Sequence, residues 1–215
     1  MIEKLKDESM RVRGSAADAI RKLGEQVVEP LIQTLKDDHY FVRSHSAKIL
    51  GRLKDQRAIE PLIESLKDEN HRVRDSAVAA LGQLGVIEPL IPLLQDESSW
   101  VRETVVKALW RKGNKEVVEP LIQALKDEEV EVKKLAIDAL SESESIRAIE
   151  PLIQMLGDAE LRIDAYSALT DLLLEYLPER GGKRAIEILK QSIKKEKDKR
   201  NKKTLKNILQ KLEEI

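Results

Sequence analysis

The chain of 215 residues has no cysteine, and only six of its residues are aromatic. Without cysteine it has no disulfide, thiol nucleophile or thiolate metal site, which fits a reducing cytoplasm. Its three histidines do not form the His-x-x-x-His pattern of helical metal sites. No apolar run approaches the ~18 residues that a membrane helix needs. These absences favour a cytoplasmic protein that is not an enzyme, holds no cofactor and does not enter a membrane.

The chain does contain a repeated sequence motif, Glu-Pro-Leu-Ile. It starts at Glu29, Glu60, Glu88, Glu119 and Glu150, so that the prolines are 31, 28, 31 and 31 residues apart. A period near 30 residues indicates a solenoid of stacked helix pairs. The 41% hydrophobic and 36% charged content is typical of a chain that is helical throughout.

A second landmark sets the register within each repeat: an aspartate is followed six residues later by a basic residue. The pairs are Asp7 with Arg13, Asp37 with Arg43, Asp68 with Arg74, Asp96 with Arg102, and Asp127 with Lys133. Small and apolar residues then follow at helical spacing. We predict that Glu-Pro opens a first helix and that the aspartate accepts hydrogen bonds from free N–H groups at the start of a second. The basic residue can then reach a turn aspartate of its own or the next repeat, as a structural ladder.

These residues resemble the HEAT-repeat family, most closely its short form, the phycobilisome-lyase-type HEAT-like repeat. The likeness lies in Glu-Pro-Leu-Ile, in the Asp-to-Arg spacing, and in Val-Arg-x-x-Ala-x-x-Ala-Leu-Gly at residues 73–82. It covers about residues 1–175. The resemblance implies an all-α, right-handed solenoid of antiparallel helix pairs, with the second helices lining the concave, ligand-facing side. It implies no reaction, because most such arrays are protein-binding scaffolds.

We expect six repeats, at about residues 1–25, 26–54, 55–85, 86–114, 115–145 and 146–177. A degenerate helix pair at 178–215, with helices near 182–195 and 201–214 after a Gly181-Gly182 linker, should cap a single continuous domain. The first repeat lacks Glu-Pro, so it is either a natural cap or the exposed end of a truncated or engineered array. The chain is therefore expected to be a monomer or to self-associate weakly through its terminal repeats.

Two columns at the start of the second helices hold three of the six aromatic residues. We expect these and the neighbouring cations to form a binding ridge on the concave face. The predicted set is Arg11, Tyr40, Phe41, His45, Lys48, Arg52, His71, Arg72, Trp100, Lys107 and Arg111. Within it, Arg72 lies between Phe41 and Trp100, a position suited to cation–π stacking. The alternative interpretation is that the aromatic rings fill gaps between helices.

A few other positions carry structural predictions. Gly51 and Gly82 share a column where close helix packing is expected, and Trp110 in the same column is predicted to lie in the core or an interface. Tyr166 falls in a buried column and is predicted to be a core residue. The basic segment 194–203 is interpreted as a solvated turn between the cap helices, with contact to nucleic acid or an acidic partner as the alternative.

Charge on the second helices changes sign along the chain, from a net +4 on the outward positions of repeats one to four to −5 in repeats five and six. We therefore expect a non-enzymatic scaffold that binds a peptide or an acidic protein surface on its concave face. Nucleic-acid binding is one alternative, which the net charge of −8 over residues 1–180 disfavours. A lyase-like or accessory role on a bound chromophore or small molecule is another, and it requires a deep apolar pocket.

Overall fold

The computed structural model describes the backbone of residues 2–113, 115–176 and 182–214. These residues form helices without any strand, which confirms the all-α prediction. Contacts group the chain into two compact units, Met1–Lys112 and Gly113–Ile215. The predicted boundary between array and cap at 177/178, and residue 181 of the predicted linker, lie outside the described residues. A single continuous domain stays a prediction.

The first unit stacks helix pairs side by side. Its second helices pack in the order α1, α3, α5 and α6, and the first helices α2 and α4 pack against α3 and α5. The bounds are α1 Met10–Arg21, α2 Val28–Thr34, α3 Tyr40–Leu53, α4 Ile59–Ser65, α5 His71–Leu84 and α6 Ser99–Lys112. In the fourth repeat the expected first helix is a 3-10 segment, Glu88–Gln95, because Pro92 inside it removes a donor and clashes with the preceding turn.

The second unit continues the same pattern. It contains α7 Val118–Ala124, α8 Val130–Ser141, α9 Ile149–Met155, α10 Arg162–Asp171, a π-helical turn Leu172–Tyr176, α11 Gly182–Lys195 and α12 Lys199–Glu213. Helix α7 packs on α8, α10 on both α8 and α9, and α11 on both α9 and α12. The two predicted cap helices are therefore confirmed, the second starting two residues earlier than expected.

Two glycines set the spacing of helices in the first unit. A Cβ atom on Gly51 would lie 2.6 Å from the Cα of Ala80, and one on Gly82 would lie 2.9 Å from the Cβ of Ala108. Helices α3, α5 and α6 can approach this closely only because those side chains are absent, which confirms the close packing predicted for this column. Tyr166 and Trp110 are only half-buried, so Tyr166 is not the full core residue that the pattern predicted.

The turn aspartates accept hydrogen bonds from residues that precede the second helix, not from the free N–H groups at its start as predicted. In each described turn the aspartate Oδ1 accepts a hydrogen bond of 2.8–2.9 Å from the backbone N–H two residues on, which lies before the second helix. The cap itself is that later residue: the side chains of His39 and Asn70 accept from the N–H groups of Phe41 and Arg72. The aspartates thus shape the turn that presents the cap.

Arg74 links the turn of its own repeat to the turn of the following repeat. Its Nη1 donates to the carbonyl oxygens of Asp68 and Glu69 at 2.9 and 3.1 Å, while Nε and Nη2 donate to the two carboxylate oxygens of Asp96 at 2.7 and 2.8 Å. Arg43 makes the same contacts one repeat earlier, with Asp68 as its carboxylate partner. Because both arginines are buried, these forks hold neighbouring second helices in one register.

The ladder does not have the same form in every repeat. Between the first and second repeats, Asp37 pairs with Lys6, at 3.3 Å, rather than with Arg13. Arg102 keeps the contact with its own turn, donating to the carbonyl oxygen of Asp96 at 2.8 Å. A matching role for Asp127 and Lys133 stays a prediction.

A candidate protein-binding ridge on the first unit

Aromatic side chains stand in the first turn of α3. The rings of Tyr40 and Phe41 lie 4.2 Å apart between centroids, and the ring of His39 lies 5.4 Å from that of Phe41. Since α3, α5 and α6 pack side by side in that order, residues of their first turns form a row. From here on, the ridge means the row of Tyr40, Phe41, His71, Arg72 and Trp100, which is part of the larger set predicted from the sequence.

The cation that stacks on the ridge is not the one that the sequence suggested. The guanidinium carbon of Arg13 lies 3.9 Å from the centroid of Phe41, and Arg13 is itself buried. The stack that the structure shows is thus made by Arg13 of the neighbouring helix α1, and stacking by Arg72 stays a prediction. Phe41 is half-buried and fills a gap between helices, as the alternative interpretation proposed for the aromatic residues.

Trp100 presents the largest exposed ring of the ridge. It is 59% exposed, and its ring lies 5.5 Å from that of His71 on α5. The Nε2 atom of His71 is buried and has no hydrogen-bond partner among the described residues. Arg72, beside His71, is exposed. This corner of the ridge thus offers an exposed indole supported from one side by an imidazole.

His45 turns toward the protein rather than toward solvent. Its Nδ1 lies 2.8 Å from the carbonyl oxygen of Phe41 and donates to it. Burial lowers the pKa of His45, and the positive charge of Lys48 lowers it further, against the opposing effect of the Phe41 carbonyl. The neutral form of the imidazole is therefore favoured over the charged form in the folded state. Within the described ranges, no cluster of histidine and carboxylate side chains could hold a metal ion.

The cations predicted around the ridge are exposed: Arg11, Lys48, Arg52, Arg72, Lys107 and Arg111. Two of them are partly neutralised, because Arg52 lies 3.6 Å from Asp18 and Lys107 lies 3.2 Å from Glu103. Asp75 accepts a hydrogen bond of 2.6 Å from the hydroxyl of Thr104. For the other four cations no ion pair within 4.0 Å occurs among the residues that the structure describes. Arg11, Lys48 and Arg72 therefore leave an excess of positive charge on this face, whereas Arg111 lies at the far end of α6 from the ridge.

The prediction missed two further cations of the first unit. Arg21 and Lys54, together with Arg52, Gln83 and Arg111, line a shallow depression of 560 Å³ at the C-terminal ends of the second helices. Arg21 occupies the column of Gly51 and Gly82, where the pattern predicted close packing alone. A survey of charge at the helix C-terminal ends would have found both residues.

Helices α8 and α10 of the second unit present acidic side chains. These are Glu131, Asp138, Asp164 and Asp171, with Glu142 just after α8 and Glu160 just before α10. Although Asp138 is exposed, partial desolvation by the surrounding helices raises its pKa, and the negative charges of Asp164 and Glu142 raise it further. The ionised form of Asp138 is therefore disfavoured in the folded state.

Replacing Asp138 by asparagine is expected to raise the melting temperature at pH 7. The folded-state pKa lies above the unfolded value, so the ionised carboxylate destabilises the protein once the pH has risen through the folded pKa. We expect a gain of ~1 °C at pH 7 that vanishes below pH ~3.9, where the carboxyl is protonated in both states. Thermal melts at the two pH values check this, with Glu150→Gln on α9 as the control. A gain that persists in acid would contradict the electrostatic explanation.

None of the described helices combines the length and the apolar character that crossing a membrane requires. Stacked helix pairs in a repeat of about 30 residues define the class of helical repeat solenoids, whose extended surfaces act as protein-interaction scaffolds. The sequence pattern of HEAT repeats matches residues 1–85 and 87–172. The chain belongs to the HEAT-repeat family.

Solved structures share this fold. The Escherichia coli protein YibA is 22% identical, with a TM-score of 0.68 over 97% of this chain and 90% of its own. The CpcE–CpcF complex of phycocyanin lyase from Nostoc is 20% identical, with a TM-score of 0.53 over 98% of this chain and 92% of that one. A designed armadillo repeat protein in complex with the peptide (KR)4 is 21% identical, with a TM-score of 0.52 over 80% of this chain and 97% of its own. No curated protein sequence matches the chain.

Proposed function

We propose that this protein is a non-enzymatic scaffold that binds a peptide or an acidic protein surface through the ridge of its first unit. The observation that carries the proposal is Trp100, which is 59% exposed in a chain with only two tryptophans. Tryptophan and arginine are the residues most enriched in the energetic centres of protein interfaces. Trp100 and Arg72 lie on the neighbouring helices α6 and α5 of the first unit.

The support of Trp100 favours a binding role over a solvated one. The ring of His71 lies beside it, and His71 is half-buried, so the indole has a fixed neighbour on one side and solvent on the other. An aromatic ring held in this way loses little side-chain entropy when a partner covers it. Covering an indole removes a large apolar area from water.

The charge of the surrounding face favours an acidic partner. Arg11, Lys48 and Arg72 are exposed around the ridge, and such an excess of cations steers acidic surfaces toward it. The designed armadillo repeat protein is in complex with a basic peptide, (KR)4. That likeness is one of fold alone, and the positive charge around this ridge favours an acidic peptide instead. The resemblance to the HEAT-repeat family would place this face on the concave side.

The two alternative functions are less well supported. Carboxylates interrupt the cations of the first unit: Asp18 and Glu103 pair with them, which weakens the face as a track for nucleic-acid phosphates. A lyase-like role needs a deep apolar pocket. The depression at the ends of the second helices is shallow and lined almost wholly by charged side chains.

Replacing Trp100 by alanine is expected to weaken peptide binding by about 30-fold or more. Peptides selected from a displayed random library on the wild-type protein serve as ligands, and their affinities are measured by fluorescence anisotropy. Loss of a central aromatic anchor typically costs 2 kcal/mol or more, roughly 30-fold in affinity. Because Trp100 is exposed, the melting temperature should hardly change.

The matched control is Ile163→Ala, which truncates an apolar side chain that is 81% exposed on α10 of the second unit. It should leave the affinity unchanged. If Trp100→Ala binds the selected peptides as tightly as the wild type, the site lies elsewhere. If the wild type binds labelled duplex DNA more tightly than any selected peptide, and moderate salt abolishes that binding, the nucleic-acid alternative replaces this proposal.

A further inference from the structure

A second feature of the first unit lies at the opposite end of the same helices. Arg21 at the end of α1, Arg52 and Lys54 at the end of α3, and Arg111 on α6 surround Gln83 of α5 in the depression of 560 Å³. We call these five residues the basic basin. Side chains that are far apart in the sequence converge there because α1, α3, α5 and α6 pack side by side.

The basin concentrates positive charge with little compensation. Arg52 lies 3.6 Å from Asp18, and both side chains are more than half exposed, so this pair is weak. Arg21, Lys54 and Arg111 form no ion pair within 4.0 Å in the part of the chain that the structure describes. The nearby Lys112 donates to the carbonyl oxygen of Gly85 at 3.4 Å. Cations gathered around one depression raise the local positive potential, which attracts anions.

Lys54 has a conformational cost at the same place. Its backbone φ is 55°, in the left-handed region, and the equivalent positions after α1, α5 and α6 are Gly24, Gly85 and Gly113 with φ of 66°, 78° and 59°, whereas after α8 in the second unit Glu144 takes this position with φ of 51°. Glycine adopts this conformation without steric penalty, whereas a residue with a Cβ is strained by it. Strained backbone persists mostly where a side chain serves a function. At this position in the first unit the chain carries a cation instead of the favourable glycine.

We infer that the basic basin holds a carboxylate-rich segment of the partner that binds the ridge. The inference rests on the proposed function and deepens it by specifying the chemistry of the partner. Guanidinium groups match carboxylates with paired hydrogen bonds, and a shallow depression suits a flexible acidic segment better than a small molecule.

The distance between ridge and basin defines the ligand further. Trp100 and Arg111 lie near opposite ends of α6, eleven residues apart, which is about 16 Å along the axis at 1.5 Å per residue. An extended peptide covers that distance in about five residues. The partner therefore combines an apolar or aromatic anchor with an acidic run about five residues away.

The test uses two labelled peptides, hexaglutamate and hexaglutamine, on the full chain at low salt. Fluorescence anisotropy should show that hexaglutamate binds and hexaglutamine does not. The affinity for hexaglutamate should fall as salt is added. Lys54→Gly should weaken it about 3-fold while raising the melting temperature by ~2 °C, because glycine relieves the left-handed strain. Arg111→Gln should also weaken binding about 3-fold. The control Lys126→Gln removes an exposed cation of the second unit and should have no effect.

Two results would overturn the inference: hexaglutamate binding no better than hexaglutamine, or hexaglutamate binding equally to the wild type and to the Lys54→Gly/Arg111→Gln double variant. Since glycine suits the backbone at position 54, a folding defect cannot be the reason for weak binding by Lys54→Gly. Both results leave the proposed function standing, because that function is decided by Trp100→Ala on selected peptides. Conversely, basin-dependent binding of hexaglutamate with no effect of Trp100→Ala on selected peptides would keep the anion site and reject the ridge.

Discussion

Replacing Arg74 by alanine is expected to lower the free energy of unfolding by ~3–5 kcal/mol. The side chains of Arg74 and Asp96 are only 9% and 7% exposed, and their atoms Nε and Oδ2 lie 2.7 Å apart. Alanine would leave the Asp96 carboxylate buried without its cation and would take a donor from the carbonyl oxygens of Asp68 and Glu69. Chemical denaturation, followed by circular dichroism, measures the loss.

A surface pair with the same bond length serves as the control. Arg57 Nη2 lies 2.7 Å from Asp55 Oδ2, but the Arg57 side chain is 49% exposed. Water and salt screen such a pair, so Arg57→Ala should leave the denaturation midpoint nearly unchanged. Equal effects of Arg57→Ala and Arg74→Ala would show that burial does not decide the strength of these forks.

Lowering the pH should reduce the difference in the free energy of unfolding between the wild type and Arg74→Ala. Burial alone would raise the pKa of Asp96, but hydrogen bonds from Arg74 and from the backbone of Ser98 outweigh it, and the pKa lies below its usual value. The stabilisation is therefore complete above the unfolded pKa of ~3.9 and is lost as the pH falls through the folded pKa. A difference that stays constant down to pH 2 would contradict this account.

Replacing Gly51 by alanine is expected to lower the free energy of unfolding by ~1–3 kcal/mol, despite alanine's higher helix propensity. The new Cβ would lie 2.6 Å from the Cα and 2.7 Å from the Cβ of Ala80. Helices α3 and α5 would have to move apart, which would also stretch the fork between Arg43 and Asp68 on their N-terminal side. Denaturation midpoints of purified variants measure the effect.

The same substitution at Gly14 should have the opposite sign. Gly14 lies within α1, and a Cβ atom there would meet nothing within 4 Å. Gly14→Ala should therefore raise the free energy of unfolding by ~0.5–1 kcal/mol through helix propensity alone. If Gly14→Ala lost stability as Gly51→Ala does, helix propensity would not describe the effect of alanine in α1. The clash between α3 and α5 would then not be needed to explain the loss in Gly51→Ala.

The repeat could be predicted because its signals are local and periodic. Glu-Pro marks the first turn of a helix wherever it occurs, and the stripe headed by Val73 needs only the helical period to predict a buried face. The cap helices were predicted in the same way. The turn aspartates were misplaced by two residues, because two local acceptors compete at each turn and the pattern cannot tell which one caps the helix.

The ridge was harder to predict, because its character depends on contacts between repeats. Column positions predicted that Phe41 and Trp100 lie at the start of second helices, and they lie in the first turns of α3 and α6. The sequence could not show that Arg13 covers Phe41 while Trp100 stays exposed, since these outcomes depend on side-chain packing between helices about 30 residues apart. Arg21 was missed for the same reason.

The sequence by itself therefore determined the class of fold, the register of each repeat and the sign of charge on each part of the chain, because these follow from residue type and spacing. Only the tertiary structure decided which aromatic ring is exposed and which residues surround the basic basin. It also showed that Lys54 adopts the conformation that glycine takes in equivalent turns. The physical reason is that exposure, stacking and backbone strain are properties of packed neighbours, and those neighbours come from other repeats.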